Sequence, residues 1–218
     1  MSGGIDSTIA TLKQISNGDF SRIQPIFVDY GQKAREQEWK AVNNVFGELA
    51  TIVDKKNAVF CSPKRLNIYC SNNVESSIFQ WSRSKLFTGK SEHSPYVENR
   101  NMILISIAVS FAESQINDFE QGIIITSFRN EWEDTQKQFV DLLNQILTFL
   151  FNKKRKSIRI EAPLISYGVN GKKRMIQDFR QYSYLLRLTW SCYTPDNDNP
   201  CQQCEACRAR TKALEEDN

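Results

Sequence analysis

The chain is short of almost everything that marks membrane, secreted or fibrous proteins. No stretch approaches the ~18 consecutive apolar residues a spanning helix needs, and the first residues show no charged-then-apolar leader. A cytoplasmic location with no membrane partner is therefore expected. Cysteine is scarce, six in 218 residues, which excludes a disulfide scaffold. Histidine is rarer still: His93 stands alone, and one histidine is weak ground for catalysis. Nor is there an excess of one charge, because the formal net charge is +3 and acids are scattered among the bases. Charge alone does not argue for nucleic acid. Repeats and low-complexity tracts are missing as well. What remains, 40% hydrophobic, 24% charged and 11% aromatic, is the usage of an ordinary packed domain.

Two constellations stand out against that background. The first is Ser2-Gly3-Gly4-Ile5-Asp6-Ser7, followed at once by a helical pattern. Successive backbone N–H groups from Gly3 and Gly4 onward, helped by the Ser2 and Ser7 hydroxyls, form a cradle for pyrophosphate that a Cβ would obstruct. A carboxylate near phosphate repels it unless a cation lies between, so Asp6 is either a Mg²⁺ ligand or a helix-start cap. The turn is not a Walker A loop, since no Gly-Lys-Ser/Thr follows, and it lacks the spaced glycines of the dinucleotide fingerprint. It resembles the PP-loop of ATP pyrophosphatases, Ser-Gly-Gly-x-Asp-Ser. That resemblance implies cleavage of the α,β bond of ATP and adenylation of a substrate oxygen. Because the loop begins at residue 2, the strand expected to feed it is missing from this sequence, and residues upstream are expected.

The second constellation is Cys192-x8-Cys201-x2-Cys204-x2-Cys207. Two overlapping Cys-x-x-Cys turns and a third neighbour allow four sulfurs to converge tetrahedrally, with Pro200 and the Asp/Asn-rich loop 196–199 turning the chain. Redox-active thiols or reduced surface thiols are the alternatives; zinc is the favoured reading. Four sulfurs leave no open position, so such a metal is structural. Cys61 and Cys70 read as small buried residues, not ligands.

Strand-like and helix-like segments alternate, which predicts an α/β fold with a doubly wound parallel sheet. Helices are expected over 7–15, 33–50, 99–115, 138–151 and 171–179, and strands over 25–28, 58–61, 122–126 and 158–160. Residues 99–115 read as a buried helix through Met102, Ile105 and Phe111. From Ser62-Pro63 to Pro95 the chain is polar and irregular, a candidate lid that includes His93. Strands running directly into helices place ligands on the rim formed by strand carboxyl ends and helix amino ends. The expected organisation is an ATP-binding domain over 1–185 and a small zinc-binding segment over 186–218.

Both constellations, with Asp29-Tyr30-Gly31-Gln32, Arg35-Glu36-Gln37-Glu38, Tyr96-Val97, Arg100-Asn101, Pro163-Leu164, Ser191-Cys192-Tyr193 and Arg210, resemble the 7-cyano-7-deazaguanine synthase family nearly end to end. The resemblance implies the adenine nucleotide alpha hydrolase-like fold and conversion of a 7-carboxy-7-deazaguanine to the nitrile through an amide. ATP and ammonia are consumed, magnesium assists and zinc is structural. Under it, Ser2, Gly3, Gly4, Asp6, Ser7, Tyr30 and Gln32 hold ATP, and Lys172 or Lys173 adds a cation at the phosphates. Arg100 reaches phosphate or the substrate carboxylate, with Asn101 capping its helix. A homodimer is implied too.

The match departs from the family in two places. Lys33 is followed by Ala34 where the family has histidine. The run Ser127-Phe128-Arg129-Asn130-Glu131-Trp132-Glu133-Asp134-Thr135-Gln136 replaces a longer segment carrying Tyr-Pro-Asp-Cys-Arg-like residues. Either Trp132 or Phe128 is a candidate to stack on a flat base, with Glu131 or Asp134 accepting its N–H groups; the competing reading is a loop that anchors one aromatic in the core. A changed pocket leaves room for a protein or nucleic-acid amine as acceptor in place of ammonia. Lys153-Lys154-Arg155-Lys156 is a candidate contact for such a partner, although a solvated charge run is the simpler reading.

Overall fold

The computed structural model describes residues 1–18, 20–53, 58–68 and 99–215. Most of the candidate lid, with His93 and Cys70, falls outside the described residues, as does Tyr96-Val97. Helix α1 (Ile5–Asn17) forms where the apolar spacing predicts it, and Ile5, Ile9, Leu12 and Ile15 are no more than 3% exposed. Then come β1 (Arg22–Ile23), β2 (Ile26–Asp29), α2 (Arg35–Val53), β3 (Val59–Phe60) and β4 (Lys64–Asn67). After them lie α3 (Arg100–Gln115), β5 (Gln121–Ile125), α4 (Lys137–Phe151) and β6 (Ser157–Glu161). The helices α5 (Lys172–Asp178), α6 (Ser183–Arg187) and α7 (Glu205–Glu215) complete the order.

The described strands pair as β1 with β3, β2 with β4 and β5 with β6, and all three ladders are parallel. Parallel neighbours cannot be joined by a tight hairpin, so a helix crosses between them. α2 lies between the first two strands and the next two, and α4 between β5 and β6. This is the α/β class that the alternation of segments predicts.

The polar, irregular reading of 62–95 is corrected over Lys64–Asn67, which is a strand in register with Ile26–Asp29. The sequence hides it because Lys-Arg-Leu-Asn has no apolar alternation. Its charge is absorbed by partners instead: the Arg65 guanidinium donates to Asp29 at 2.6 and 3.1 Å and to Glu36 at 2.6 and 3.0 Å. α6 and α7 are likewise absent from the sequence expectation. α3 keeps its predicted span but buries Ile105 and Ala108, while Met102 is 39% exposed.

The described residues fall into two compact units, and the division passes through α1 between Thr8 and Ile9. The first unit holds the described parts of Met1–Thr8, Asp19–Glu98 and Asp178–Asn218. Its α2 packs Trp39 on Phe27 (ring centroids 5.7 Å apart) and Phe46 on Phe60 (4.7 Å). The second unit holds Ile9–Gly18 and Asn99–Gln177. There Ile158 and Ile160, alternate residues of β6, meet Val140, Leu143, Leu147 and Phe151 of α4 and Ile105 of α3. Asn144 of α4 satisfies the backbone of Ile160 in both directions, accepting its N–H at 2.8 Å and donating to its carbonyl at 3.0 Å. One amide side chain thus does for this stretch of β6 what a neighbouring strand would. Among the described residues no helix is long and apolar enough to cross a membrane.

Candidate active site and metal centre

The glycine turn is built by hydroxyls and closed by two neighbouring segments. Ser7 Oγ accepts the Ser2 N–H at 3.2 Å and the Ser2 hydroxyl at 3.1 Å, and itself donates to the Gly4 carbonyl at 3.1 Å. Gly4 O also receives the Thr8 N–H and hydroxyl at 3.1 and 3.0 Å, which starts α1. The N–H groups ahead of Thr8 precede the intrahelical ladder, so this end of α1 carries the partial positive charge that favours an anion. Asp6 is the acid in that first turn.

The two glycines answer to different neighbours. Gly3 has φ +73°, and a Cβ there would stand 2.6 Å from the Glu38 carbonyl oxygen and 3.1 Å from the Val42 nitrogen of α2. Protein packing and backbone conformation already demand glycine at this position. At Gly4 a Cβ would meet only Ser2 Oγ at 3.4 Å and the Trp190 carbonyl at 3.5 Å, ordinary contact distances. The folded protein tolerates a side chain at Gly4; a ligand pressed against the turn would not.

Beyond β2, Asp29 to Gln32 makes a self-supporting corner. The Gly31 N–H donates to Asp29 Oδ1 at 2.9 Å and the Tyr30 N–H to Gln32 Oε1 at 3.0 Å. Gln32, only 5% exposed, donates its amide to the Val28 carbonyl at 3.3 Å and to Glu38 at 2.8 Å. Its side chain therefore shapes the corner, whereas Tyr30 is half-buried. The hydrogen bonds from Arg65 hold the Glu36 carboxyl below its ordinary value, and Glu36 followed by Asp29 pushes the Arg65 guanidinium up.

The cysteines converge as their spacing predicts: the sulfurs of Cys192, Cys201, Cys204 and Cys207 all lie within 4.8 Å of one another. With Zn–S bonds of ~2.3 Å, a tetrahedral site needs sulfurs ~3.8 Å apart, so a small contraction about a cation completes it. The surroundings fit thiolates. Sγ of Cys192 accepts the Cys201 N–H at 3.2 Å, and Sγ of Cys201 accepts the Cys204 N–H and the Thr194 hydroxyl, both at 3.4 Å. The Thr194 hydroxyl leads in lowering Cys201 to about 6. Burial pushes Cys192 and Cys207 up. A bound cation resolves that conflict, since it alone lets four crowded sulfurs ionise together. Cys61 is half-buried and stands apart from the cluster.

The cluster is fastened to the glycine turn. The backbone N–H of Trp190, two residues before Cys192, donates to the Gly3 carbonyl at 2.8 Å, while the indole N–H donates to the Cys192 carbonyl at 2.8 Å. Gln37 of α2 donates to the Asn197 carbonyl at 2.8 Å. From α7, Arg210 donates to Thr189 Oγ1 at 2.6 Å and to the Leu186 carbonyl at 2.9 Å, a cation set on the carboxyl end of α6. Gln37 and Arg210 belong to the residues that carry the resemblance, but only the fold reveals what they brace.

The remaining candidates lie in the second unit and are described by themselves. Arg100 opens α3, but the cap position falls on Asn99 (φ 56°), not on Asn101, which corrects the capping expectation. Asn101 is buried and donates to Asp134 at 3.0 Å. Of the two candidate stacking rings, Phe128 packs on Phe139 (6.3 Å) against the α4/β6 core, while Trp132 is 46% exposed. Glu131 pairs with Arg129, a residue the sequence reading passed over. Arg129 is only 5% exposed and donates to the carbonyls of Gly168 and Val169 at 3.3 and 3.4 Å. The available signal was an arginine four residues past the end of a strand with a carboxylate two residues on. Thr135 holds the loop by accepting the N–H groups of Glu131 and Trp132 at 3.0 and 2.8 Å. Lys172 begins α5, half-buried; beside it a Cβ on Gly171 would collide with the Tyr167 carbonyl at 2.0 Å.

Comparison with known proteins gives the same assignment over the full length. A 7-cyano-7-deazaguanine synthase 1 of Desulfitobacterium hafniense is 28% identical, with 98% of this chain and 89% of that protein covered. A synthase of that name from Leptospira interrogans is 28% identical over 99% and 85%. Its counterpart from Methanosphaera stadtmanae is 29% identical over 98% and 91%. The family model for queuosine biosynthesis protein QueC matches residues 1–218. A glycine turn at the head of α1 and four converging cysteines are what the synthase resemblance required, and with that match the chain belongs to the QueC family.

Proposed function

We propose that this chain is an ATP-dependent carbon–nitrogen ligase that converts a 7-carboxy-7-deazaguanine into 7-cyano-7-deazaguanine. The observation that carries the reading is the Ser2–Ser7 turn at the amino end of α1, in a chain that matches the QueC family from end to end. A carboxylate is a poor electrophile, so one of its oxygens must first become a leaving group. Attack of that oxygen on the α-phosphorus of ATP breaks the bond to pyrophosphate and forms an acyl adenylate. Ammonia then attacks the carbonyl carbon, AMP departs, a proton is lost, and the amide results. Removing the remaining oxygen repeats the activation: adenylation of the amide oxygen, then loss of AMP and protons, leaves the nitrile.

In this reading the first-turn N–H groups of α1 receive the charge that builds on pyrophosphate, and the Ser2 and Ser7 hydroxyls turn from Ser7 and from the Gly4 carbonyl to join them. Gly4 lets phosphate approach the backbone. Asp6 is the oxygen ligand that would hold Mg²⁺, whose chemistry is to neutralise the same departing charge. Tyr30 borders the nucleotide while Gln32 keeps its corner rigid. Arg100, Asn101, Glu131, Trp132 and Lys172 are assigned to substrate and phosphate recognition, with Trp132 the stacking ring. The four cysteines of the segment 186–218 would hold zinc as thiolates and leave no position open, so the metal would be structural and take no part in the reaction.

The test is incubation with ATP, Mg²⁺, 7-carboxy-7-deazaguanine and ammonium, read by mass spectrometry. Nitrile with AMP and pyrophosphate is the expected outcome. Adenylate that persists with ammonium but is consumed by a protein or nucleic-acid amine would select the other acceptor, which the altered 127–136 segment favours. No AMP under any condition sinks the proposal.

A further inference from the structure

β5 and β6 run parallel with Ile125 opposite Glu161. The chain after Ile125 and the chain after Glu161 therefore leave the ladder from its carboxyl rim, where open α/β sheets receive ligands. The first of these segments carries Glu131 and Trp132, and the second leads to Lys172. One side chain spans them. Arg129 directs Nη2 to the Glu131 carboxylate, and Nη1 to the carbonyls of Gly168 and Val169 at 3.3 and 3.4 Å.

Burying a guanidinium is costly unless charge and donors are both matched, and here a carboxylate and two carbonyls match them. Each end of the bridge is itself rigid. On one side Thr135 accepts the N–H groups of Glu131 and Trp132 on its hydroxyl and that of Asn130 on its carbonyl at 3.2 Å, so 130–135 moves as one piece. On the other, the Gly168 carbonyl also accepts the Gly171 N–H at 3.4 Å, and the Gly171 carbonyl accepts the Met175 N–H at 2.8 Å, which starts α5 at Lys172. Arg129 thus sets how far a carboxylate and an aromatic ring on one segment stand from a cation on the other. Lysine could not replace it, because a single ammonium cannot occupy the positions of both guanidinium nitrogens.

We propose that Arg129 is a positioning residue of the deazapurine pocket: its guanidinium ties the Glu131–Trp132 segment to the turn that leads into Lys172, and so fixes the spacing at which a planar, carboxylate-bearing base is received. This rests on the ligase reading above, which assigns those three residues to substrate and phosphate recognition. Arg129 acts through them and does not itself touch the base. Without the tie each segment keeps its own hydrogen bonds and loses only its place relative to the other. The loss then falls on capture of the base, and the chemical step after capture is spared.

Steady-state kinetics and hydrogen exchange on the zinc-loaded, full chain test this with Arg129→Lys, which keeps the charge and gives up the fork. The KM for 7-carboxy-7-deazaguanine is expected to rise about 10-fold, with kcat and the KM for ATP within about 2-fold of the parent. Amides of 130–135 and of 168–173 are expected to exchange faster together, with an unchanged circular dichroism spectrum. Arg129→Gln, which keeps an amide donor and gives up the charge pair, is expected to move KM in the same direction and serves if the lysine variant does not fold. A KM for the base that stays at the parent value overturns the proposal, as does faster exchange confined to one segment. So does a fall in kcat together with a rise in both KM values, the mark of a merely structural role. These outcomes leave the ligase reading standing, whereas a parent chain that turns over no 7-carboxy-7-deazaguanine sinks that reading and the pocket with it.

Discussion

The glycine turn and the 127–135 loop are both irregular segments, but they are held by different means. Around the turn the partners are far away in sequence: the Trp190 N–H on the Gly3 carbonyl, and the α2 backbone pressed against Gly3 where any Cβ would be. Around the loop they are mostly near, because Thr135 gathers the N–H groups of Glu131 and Trp132 from within four residues. A segment fixed by distant partners keeps its geometry only while the whole unit is intact. One fixed by its own hydroxyl can change composition locally without disturbing the fold. The glycine turn belongs to the first kind, and the segment in which this chain departs from the synthase pattern belongs to the second.

That contrast is open to direct attack. The largest effect is expected from Cys204→Ser: removing one of four sulfurs forfeits metal binding worth on the order of 10 kcal/mol to the folding of such segments. Metal analysis should show loss of zinc, and limited proteolysis should cut around 190–210. If the clasp serves the turn, ATP protection against heat should disappear with the metal. Next comes Gly3→Ala, where a Cβ 2.6 Å from the Glu38 carbonyl should cost about 2–4 kcal/mol and lower Tm. Thr135→Val should cost about 1–3 kcal/mol by stranding two N–H groups, yet leave ATP affinity unchanged. Equal loss of nucleotide binding in that variant would erase the distinction between the two segments.

Gly4→Ala sharpens the comparison from the other side. The site has room for the methyl group, so stability should stay within about 0.5 kcal/mol of the parent. ATP affinity, measured by calorimetry, should fall about 10-fold or more because the phosphate can no longer reach the backbone. The smallest effect belongs to Glu36→Gln at the Arg65 pair. Hydrogen bonds from Arg65 hold the Glu36 carboxyl below its ordinary value, so its contribution is present above the unfolded pKa and is lost as pH falls through the folded one. With Glu36 62% exposed, the change is under about 1 kcal/mol. Denaturation series on either side of the carboxylate range should show a slightly flatter pH dependence for the variant.

Much of this protein could be read from its residues. Ser2 to Ser7 and the Cys192 to Cys207 spacing are contiguous patterns, and contiguous patterns survive without a fold because backbone geometry alone brings their atoms together. Helical periodicity in α1, α2 and α4 is legible for the same reason. β4 was not, since a strand made of Lys-Arg-Leu-Asn is stabilised by a ladder to β2 and by the carboxylates of Asp29 and Glu36, none of which lies within it. Arg129 escaped notice because its acceptors sit near 168, while Arg210, named only as part of the family resemblance, owes its bracing role to acceptors near 186.

Residue order by itself determined which groups could bind phosphate and which could bind metal. Only tertiary structure decided that the two glycines have separate reasons to be glycine, that Gln32 braces a corner, and that Phe128 faces inward while Trp132 does not. The physical reason is that donor chemistry is a property of a side chain, whereas the demand placed on it comes from whatever atoms the folded chain brings within a few ångströms.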